Sequence, residues 1–480
     1  MPINSFLYPG AKTTLAYEVA NSCRFNQPDN PYLTRAISSA GSTTTVSISF
    51  WFKRGKLADD LHVFSAKDTG VHASSIDEIK ITSGDILRVE NYNGSGYNYR
   101  KLTTRVFRDP SSWYHILVVY DTSNSTAGDR IQIYINGVRE TSFSTSTDPS
   151  ENAGLYWFDA TDPFIIGTDA RTLTGASNLD GYLSEVVVLD GTAASVTDFG
   201  EFDSDSPNIW KPINVSGLTF GTNGFYLDFE DSSALGNDAA GSNNFTVNNL
   251  TATDQSTDTC TNNFATMNPL NAPTSNAPTF SEGNLKTVSS SSASGAFGGS
   301  TTFGVSQGKW YVEAKATVGS TYSRNAIGVS YNPAEMARSN ADTQISNTSY
   351  AWGWESSGGE VRHDGSAVAS YATYATGDIC QIFLDLDNHK LYFGKNGTLQ
   401  SSTGISLDTG ETYFIVQTDR TGSSEVSTFE FNFGAGTTFS ISSGNTDGEY
   451  GNFEYSTTIT GDGASKTFKA LNTKNLAEYG

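Results

Sequence analysis

Residues 129–138 read Asp-Arg-Ile-Gln-Ile-Tyr-Ile-Asn-Gly-Val, and they give the clearest indication of the fold. Its apolar side chains stand at Ile131, Ile133 and Ile135 with polar ones between them, which is the period of a strand that buries one face. The pair Asn136-Gly137 tolerates positive φ at both central positions of a tight turn. The stretch therefore predicts an antiparallel hairpin.

The same alternation recurs along both halves of the chain, at residues 46–52, 311–316, 381–386 and 429–433, and a second Asn-Gly pair stands at residues 396–397. Helix-like segments are short: residues 192–199, where Ser195 and Asp198 are spaced as a capping pair, and residues 334–341, entered through Pro333. Many short strands without intervening helices predict an all-β protein built from antiparallel sandwiches.

Length and composition narrow the class of protein. The 480 residues suffice for two or three domains, and 12% aromatic against 17% charged residues argues against global disorder. A net charge of −22 argues against nucleic acid and anionic membranes as direct ligands. The apolar runs have the length of strands, so we expect that the chain is made in a cytoplasm and is not inserted into a membrane.

Composition shifts suggest five segments. We predict an N-terminal arm at residues 1–35 that could dock to a partner, a first sandwich at 36–212 and a polar connector at 213–280. A second sandwich follows at 281–471 and a C-terminal tail at 472–480. The break is placed where the chain becomes rich in Thr, Asn, Asp and Pro, which is typical of a connector.

Both predicted sandwiches resemble known families. Residues 113–121, 129–138 and 179–191 resemble the strands of laminin-G/concanavalin-A-like sandwiches. Residues 308–313, 327–330, 377–387, 391–397 and 431–434 resemble a SPRY domain, which is also a concanavalin-A-like sandwich. The resemblance implies two jelly rolls in tandem, both of a binding type.

The joining segments resemble a further group of proteins. Residues 198–201, 210–212, 221–229, 245–250, 261–270 and 468–476 are similar to those of large virion proteins of tailed bacteriophages. The resemblance implies a virion-located tail fibre, spike or appendage that attaches to the host and catalyses no reaction. Its expected partners are other virion proteins and a host-surface glycan or protein, and we expect a homo-oligomer, with a trimer favoured. The alternatives are a glycan-degrading depolymerase and a purely structural capsid or collar decoration protein.

A depolymerase needs two carboxylates that flank a sugar bond. Asp228 with Glu230, and Asp385 with Asp387, alternate in this way, but period-two spacing also describes the solvent face of a strand and the shoulder of a hairpin. The histidines, His62, His72, His115, His363 and His389, have no metal-ligand or triad spacing, and His115 lies within an apolar strand. We therefore predict no enzyme.

Sugar recognition needs exposed aromatic rings with polar partners. Tyr92, Tyr97 and Tyr99 lie in a glycine-rich polar tip, and Trp352 and Trp354 alternate around Gly353. These five residues are the candidate ligand-binding side chains. For the tyrosines, packing on a neighbouring sheet is an equal alternative, and for the tryptophans a shared core is favoured.

Calcium is the one cofactor that the sequence brings into consideration. Laminin-G-like sandwiches often bind it, and hard oxygen ligands are abundant here at Asp121, Asp129, Asp159, Asp162 and Asp169. None of them lies in a dense Asp-x-Asp-x-Asp loop. We predict no obligatory cofactor and leave any metal ligands open.

Overall fold

A computed structural model describes residues 17–68, 70–160, 162–173, 175, 177–273, 277–289, 296–317, 325–337, 345–420, 426–436 and 438–480. Contacts divide the chain into two compact units, of which the first ends at Thr261 and the second begins at Asn262. Across these ranges, no helix is long and apolar enough to cross a membrane.

The first unit is a sandwich of two antiparallel sheets. One sheet has the order β10-β9-β8-β3-β13-β1-β18, with β16 also beside β13, and the other has the order β11-β7-β6-β5-β4-β12-β2-β17. A separate hairpin pairs β14 with β15. The strands are β1 (Ser22–Phe25), β2 (Tyr32–Ala36), β3 (Thr45–Arg54), β4 (Leu61–Lys67), β5 (Ile76–Ile81), β6 (Ile86–Tyr92), β7 (Tyr97–Val106), β8 (Trp113–Asp121), β9 (Ile131–Ile135), β10 (Val138–Arg139), β11 (Phe143–Thr147), β12 (Pro163–Ile166), β13 (Gly181–Asp190), β14 (Gly200–Phe202), β15 (Trp210–Pro212), β16 (Phe225–Leu227), β17 (Thr246–Asn248) and β18 (Gln255–Ser256).

The stretch at residues 129–138 folds as predicted. Ile131, Ile133 and Ile135 are buried in the core, and β9 pairs with β10 across a turn in which Asn136 and Gly137 have φ of 48° and 79°. The capping pair is also confirmed, because Ser195 and Asp198 form a capping box, although the helix itself is a 3-10 turn over Val196–Asp198.

The predicted arm and connector need correction, because both supply strands to the first sandwich. β1, within the predicted arm, pairs with β13, and β2 pairs with β12. From the predicted connector, β16 pairs with β13 and β17 pairs with β2. These strands look like parts of loops in the sequence because they are short and stand among polar residues, but the sheets satisfy their backbone groups.

The second unit is also an antiparallel sandwich. Its sheets have the orders β19-β20-β32-β22-β27-β28-β29, with β30 beside β28 and β35 parallel to β22, and β21-β31-β23-β24-β25-β26. The strands are β19 (Thr279–Ser281), β20 (Lys286–Val288), β21 (Ala296–Ser300), β22 (Lys309–Thr317), β23 (Ala326–Ser330), β24 (Ala351–Glu355), β25 (Glu360–His363), β26 (Ser366–Ser370), β27 (Ile379–Asp385), β28 (Lys390–Lys395), β29 (Thr398–Leu399), β30 (Ile405–Ser406), β31 (Phe414–Arg420), β32 (Thr428–Asn432), β33 (Thr458–Gly461), β34 (Ala464–Thr467) and β35 (Lys469–Ala470).

Helical segments are short in the part of the chain that the structure describes. The two α-helices are α1 (Pro333–Met336) and α2 (Thr473–Tyr479), and 3-10 turns cover Gln27–Asp29, Ala127–Asp129, Val196–Asp198, Ala252–Asp254, Pro269–Asn271 and Ile345–Asn347. The helix predicted at residues 334–341 begins as expected, whereas residues 338–344 lie outside the described ranges. The predicted C-terminal tail is helix α2, and its Leu476 and Tyr479 pack against the core of the second unit.

Candidate functional site

The predicted tyrosine cluster divides between two faces of one sheet. Tyr97 pairs with Tyr92 and Tyr99 with Asn91, so a register irregularity puts Tyr97 and Tyr99 on opposite faces. Tyr97 is 44% exposed, whereas Tyr99 is buried and donates a hydrogen bond from its hydroxyl to Asp77 Oδ1 at 2.8 Å. Tyr92 is half-buried, and its ring centroid lies 5.4 Å from that of Tyr97. The prediction is corrected for Tyr99, which is a core residue.

The two predicted tryptophans both face the core of the second unit. Trp354 is fully buried, and its Nε1 donates to the carbonyl of Ala372 at 3.2 Å. It is therefore not a surface ligand-binding residue. Trp352 is 3% exposed and stacks on the ring of His363, with centroids 4.1 Å apart and planes 8° apart. The alternative interpretation, in which both rings face one core, is the one the structure supports.

The Trp352–His363 stack forms one wall of a pocket of about 530 Å³ in the second unit. The other lining residues combine apolar and hydroxyl-bearing side chains with one carboxylate: Val368, Ala369, Tyr371, Ser401, Thr403, Gly404, Ile405, Ser406 and Asp408. His363 Nδ1 lies 3.0 Å from the carbonyl of Ala351, which can only accept, so in a neutral ring Nδ1 carries the proton and Nε2 is an acceptor. We call this site the Trp352 pocket.

A second site lies on the outer face of the first unit, where two rows of side chains cross strands β4 to β7. Paired residues share a face, so one row holds His62, Lys80 and Arg88 and the other holds Ser65, Glu78, Glu90 and Arg100. Arg171, from the segment after β12, reaches Asp169 Oδ2 at 2.6 Å and Glu78 Oε2 at 3.7 Å. We call the surface formed by Arg88, Arg100, Arg171 and Tyr97 the arginine face.

Two buried carboxylates organise the arginine face. Glu78 Oε1 accepts a hydrogen bond from Arg88 at 2.6 Å, and Glu90 Oε2 lies 2.8 Å from Arg100 Nε. Burial acts to raise the pKa of Glu78, but the hydrogen bond from His62 and the charges of His62, Lys80 and Arg88 hold that pKa well below its usual range. Burial and the negative charge of Glu78 raise the pKa of Glu90 to about 7. The two acids thus differ strongly in their readiness to lose a proton.

Sequence reasoning missed the arginine face. The sequence contains one indication of this surface, the alternation of charged and apolar residues within β5 and β6. Glu78 and Lys80 in β5, and Arg88 and Glu90 in β6, occupy every second position. That pattern predicts a polar outer face and says nothing about which strands lie side by side.

The predicted calcium aspartates do not converge into one site within the described ranges. Asp129 pairs with Arg139 at 2.5 Å, Asp121 accepts from Ser123, and Asp162 lies 4.0 Å from Lys67. The described residues contain one group of His, Cys, Asp or Glu side chains close enough to share an ion: His62, Glu78 and Asp169. Because guanidinium groups of Arg88 and Arg171 already pair with its two carboxylates, this group does not fit a cation.

The predicted carboxylate pairs serve the structure. Asp385 is fully buried and pairs with Lys466 Nζ at 2.7 Å, and Asp387 pairs with Lys309 and accepts from the backbone of Gly308. Leu227 and Phe229 point inward beside the half-buried Asp228 and the exposed Glu230, as the strand interpretation predicts.

Glu185 is a buried acid that the sequence did not single out. It stands at a bulge of β13 with φ of 49°, and its oxygens accept hydrogen bonds from Tyr226 at 2.8 Å and Tyr17 at 2.9 Å. Burial raises its pKa to about 7, and the charges of Asp228 and Glu230 act in the same direction. Because a tyrosine hydroxyl occupies each oxygen, this acid faces protein groups and not a substrate.

His115 is a packed strand residue, as expected. It is fully buried between Ser49 Oγ, 2.9 Å from its Nε2, and Trp210, whose Nε1 donates to Nδ1 at 3.1 Å. Burial lowers its pKa to about 3, so the ring is neutral near pH 7. The three cysteines, Cys23, Cys260 and Cys380, are all free thiols.

Comparisons with known proteins agree with this class of fold. Residues 28–196 match the family model described as concanavalin A-like lectin/glucanases superfamily, of the laminin-G type, and residues 309–429 match the SPRY domain. The chain is thus an all-β tandem of a concanavalin-A-like domain and a SPRY domain, and the predicted fold class is confirmed. No curated protein matches the chain.

Solved structures similar to parts of the chain include the SPRY domain of human HERC1, at 18% identity and a TM-score of 0.30, covering 36% of this chain and 99% of that one. A heptameric SAP-like pentraxin from Limulus polyphemus is 16% identical with a TM-score of 0.28, and the match covers 38% and 81% of the two chains. A putative carbohydrate binding protein from Bacteroides ovatus is 16% identical with a TM-score of 0.34, and the match covers 49% of this chain and 61% of that one.

Proposed function

We propose that the chain is a non-catalytic recognition protein of a tailed-bacteriophage virion, a tail fibre, spike or appendage, which attaches the particle to a glycan on the host surface. Its expected partners are other virion proteins, and we propose a symmetric oligomer, a trimer by preference. The resemblance of the joining segments to phage virion proteins supports the location, and two tandem domains of binding-type fold support the role.

The observation that carries the recognition proposal is the Trp352 pocket. Its size is in the range of small-ligand sites, and the partly exposed rings of His363 and Tyr371 stand beside hydroxyl groups and a carboxylate. Sugars need this combination, because their C–H faces pack on aromatic rings while their hydroxyls require hydrogen-bond partners. Trp352 and His363 are already stacked against each other, so little ordering is required on binding.

The non-catalytic part of the proposal is supported by the carboxylates. Asp385 and Asp387 are engaged with lysines, and both oxygens of Glu185 accept from tyrosines. Among the residues that the structure describes, Asp408 is the one acid that lines the Trp352 pocket, whereas most glycosidases use two carboxyl groups.

The recognition proposal is tested with the full chain on a glycan array and on host cells. Replacing Ser406 and Asp408 with Ala removes two exposed polar groups of the pocket and should weaken binding by about tenfold, the effect of one or two lost hydrogen bonds. Glu411→Ala, an exposed acid three residues from Asp408 and outside the pocket lining, is the matched control. Equal binding by both variants would show that the pocket is not the site.

Two further measurements separate the alternatives. Mass spectrometry and antibody labelling of purified phage particles should find the chain on an external appendage; its detection only in the capsid shell would favour a decoration protein. Incubation with host polysaccharide should release no shorter oligosaccharides, and their release would favour a depolymerase.

A further inference from the structure

The arginine face presents guanidinium groups to solvent and keeps its carboxylates beneath them. The side chains of Arg88, Arg100 and Arg171 are 18%, 28% and 31% exposed, whereas those of Glu78 and Glu90 are 1% and 5% exposed. Asp169 accepts from Nε and Nη2 of Arg171, and a more exposed carboxylate, Asp60, lies 4.0 Å from Lys80. A ligand approaching the centre of this face therefore meets cations first.

The buried acids hold the guanidinium groups without using all of their donors. Arg88 Nη2 donates to Glu78 Oε1 at 2.6 Å and lies 3.1 Å from Glu90 Oε1, and Arg100 Nε lies 2.8 Å from Glu90 Oε2 as an ion pair. A guanidinium carries five N–H donors, so each arginine retains donors for another partner. Because the buried carboxylates already restrict the side chains, less conformational entropy is lost when a ligand binds.

Tyr97 adds an aromatic surface to the same face. Its exposed ring covers the guanidinium of Arg100, with Cζ 4.4 Å from the ring centroid. The tyrosine and the arginine together place a flat apolar surface beside planar, forked donors. A sugar ring packs on the flat apolar surface, and a carboxylate accepts two hydrogen bonds from the forked donors.

The charge of the rest of the molecule limits the kind of anion. With a net charge of −22, the chain repels extended polyanions at long range, so the arginine face is suited to one or a few charged groups at short range. This argues for a small acidic ligand and against nucleic acid.

From these observations we infer that the arginine face is a second binding site, which takes a carboxylated sugar: Tyr97 packs on the sugar ring and Arg100, Arg88 and Arg171 bind its carboxylate. The inference deepens the proposed function, because it names a ligand class for the first unit. It does not depend on the Trp352 pocket, which lies in the other unit.

Calorimetric titration of the full chain with a glucuronic-acid disaccharide tests the inference. Binding is expected, weakening between 50 and 500 mM NaCl because the contact is ionic, while the matching neutral glucose disaccharide should not bind. Inorganic phosphate should compete poorly. Equal binding of the neutral disaccharide, or stronger binding of phosphate, overturns the assignment to carboxylated sugars, and so does a lack of any uronate binding.

Variants localise the site. Arg100→Lys keeps the charge and loses the fork, and Tyr97→Ala removes the ring; each should weaken uronate binding by about tenfold. Arg105→Lys, on the same strand and paired with Glu140, is the control and should bind normally. Because Tyr97 is exposed, its variant stays folded even if Arg100→Lys does not. If Tyr97→Ala binds the uronate with unchanged affinity, the arginine face is not the binding site. The Ser406→Ala/Asp408→Ala variant tests only the Trp352 pocket, so a loss of host binding in that variant alone concerns the proposed function of the pocket.

Discussion

The two units have the same class of fold and offer different chemistry to a ligand. On the first unit, partly exposed guanidinium groups lie over buried carboxylates across four strands. On the second, an aromatic stack forms the wall of a pocket with hydroxyl groups and one carboxylate. A sandwich fold determines which side chains share a face, and the residues on that face determine which ligand can bind.

The units also differ in how their chain segments complete the sheets. In the first unit, strands from both ends of its segment, β1 and β18, pair with each other at the edge of one sheet. In the second, helix α2 packs against the core near the C-terminus. The first unit places a buried ion pair near this edge, Lys53 Nζ with Asp258 Oδ2 at 2.6 Å. The second unit also holds a buried pair, Lys466 Nζ with Asp385 Oδ2 at 2.7 Å, so the stability of each unit depends on a buried charge.

The largest effect is expected from breaking that ion pair. Asp258→Ala leaves the fully buried Lys53 without this carboxylate and removes the acceptor of Trp113 Nε1, so the first unit should lose about 3–5 kcal/mol of unfolding free energy. Asp462→Ala, an exposed acid of the second unit that accepts from Tyr392, should cost no more than about 1 kcal/mol. Chemical denaturation followed by hydrogen exchange in β3 and β22 measures both changes. Equal losses would contradict the difference expected between a buried ion pair and an exposed carboxylate.

The two Asn-Gly turns provide a matched pair of substitutions. Gly137 and Gly397 have φ of 79° and 80°, so alanine is strained at both. A Cβ at residue 137 would lie 2.2 Å from the buried indole of Trp210, and one at residue 397 would lie 2.7 Å from the ring of Tyr455. We expect Gly137→Ala to cost about 2–4 kcal/mol and Gly397→Ala about 1–2 kcal/mol, since only the first adds overpacking of a buried ring. Thermal denaturation monitored in each unit shows which substitution destabilises its unit more. A larger loss for Gly397→Ala than for Gly137→Ala would contradict this explanation.

The pH dependence of the first unit follows from Glu185. Its pKa in the folded state is about 7, above the unfolded value near 4.5. Its contribution to the free energy of unfolding is therefore complete below pH 4.5 and is lost as pH rises through 7. His115, with a pKa lowered to about 3, acts oppositely, because its contribution is present above pH 6.5 and is lost toward pH 3. The free energy of unfolding of Glu185→Gln, relative to that of the wild type, should therefore rise by about 2–3 kcal/mol between pH 5 and pH 8.

Denaturation of the wild type, Glu185→Gln and the exposed control Glu411→Gln at pH 5, 6, 7 and 8 measures this gain. The control should follow the wild type at every pH. A difference between Glu185→Gln and the wild type that stays constant with pH would show that Glu185 does not titrate in this range.

The smallest effects are expected at the caps. Ser195 Oγ accepts from Thr197 N at 3.3 Å in an exposed 3-10 turn of the first unit, whereas Asn472 Oδ1 accepts from Asn475 N at 2.9 Å at the buried start of α2. Replacement by Ala should cost about 0.5 kcal/mol at Ser195 and about 1 kcal/mol at Asn472. Urea denaturation resolves the two values if several concentrations are fitted together. A larger loss at Ser195 would mean that its turn contributes more than the C-terminal helix.

Prediction from the sequence was most successful where the evidence is local. The alternation at residues 131–135 and the pair Asn136-Gly137 each describe a conformation that a few neighbouring residues determine. It was least successful for segments whose partners are distant. β1 lies more than 150 residues from β13 along the chain, and no pattern in Ser22–Phe25 indicates that pairing.

The candidate sites show the same limit. The tyrosine tip was identified from its composition, but the register irregularity between Asn91 and Tyr92 decides that Tyr97 faces solvent and Tyr99 the core. The pocket brings Trp352 together with Asp408, which is 56 residues further along the chain, and no spacing rule links them.

By itself, the sequence determined that this protein is all-β, that it contains two sandwiches, where the tight turns stand and that the molecule is acidic. These properties depend on side-chain period, turn chemistry and charge, which act over a few residues or over the whole composition. Only the tertiary structure decided which polar segments became strands, which aromatic rings reached the surface and which charges met across β4 to β7. The reason is that strand pairing is made between residues far apart in the chain, and a shift of one residue in register reverses the face of every side chain.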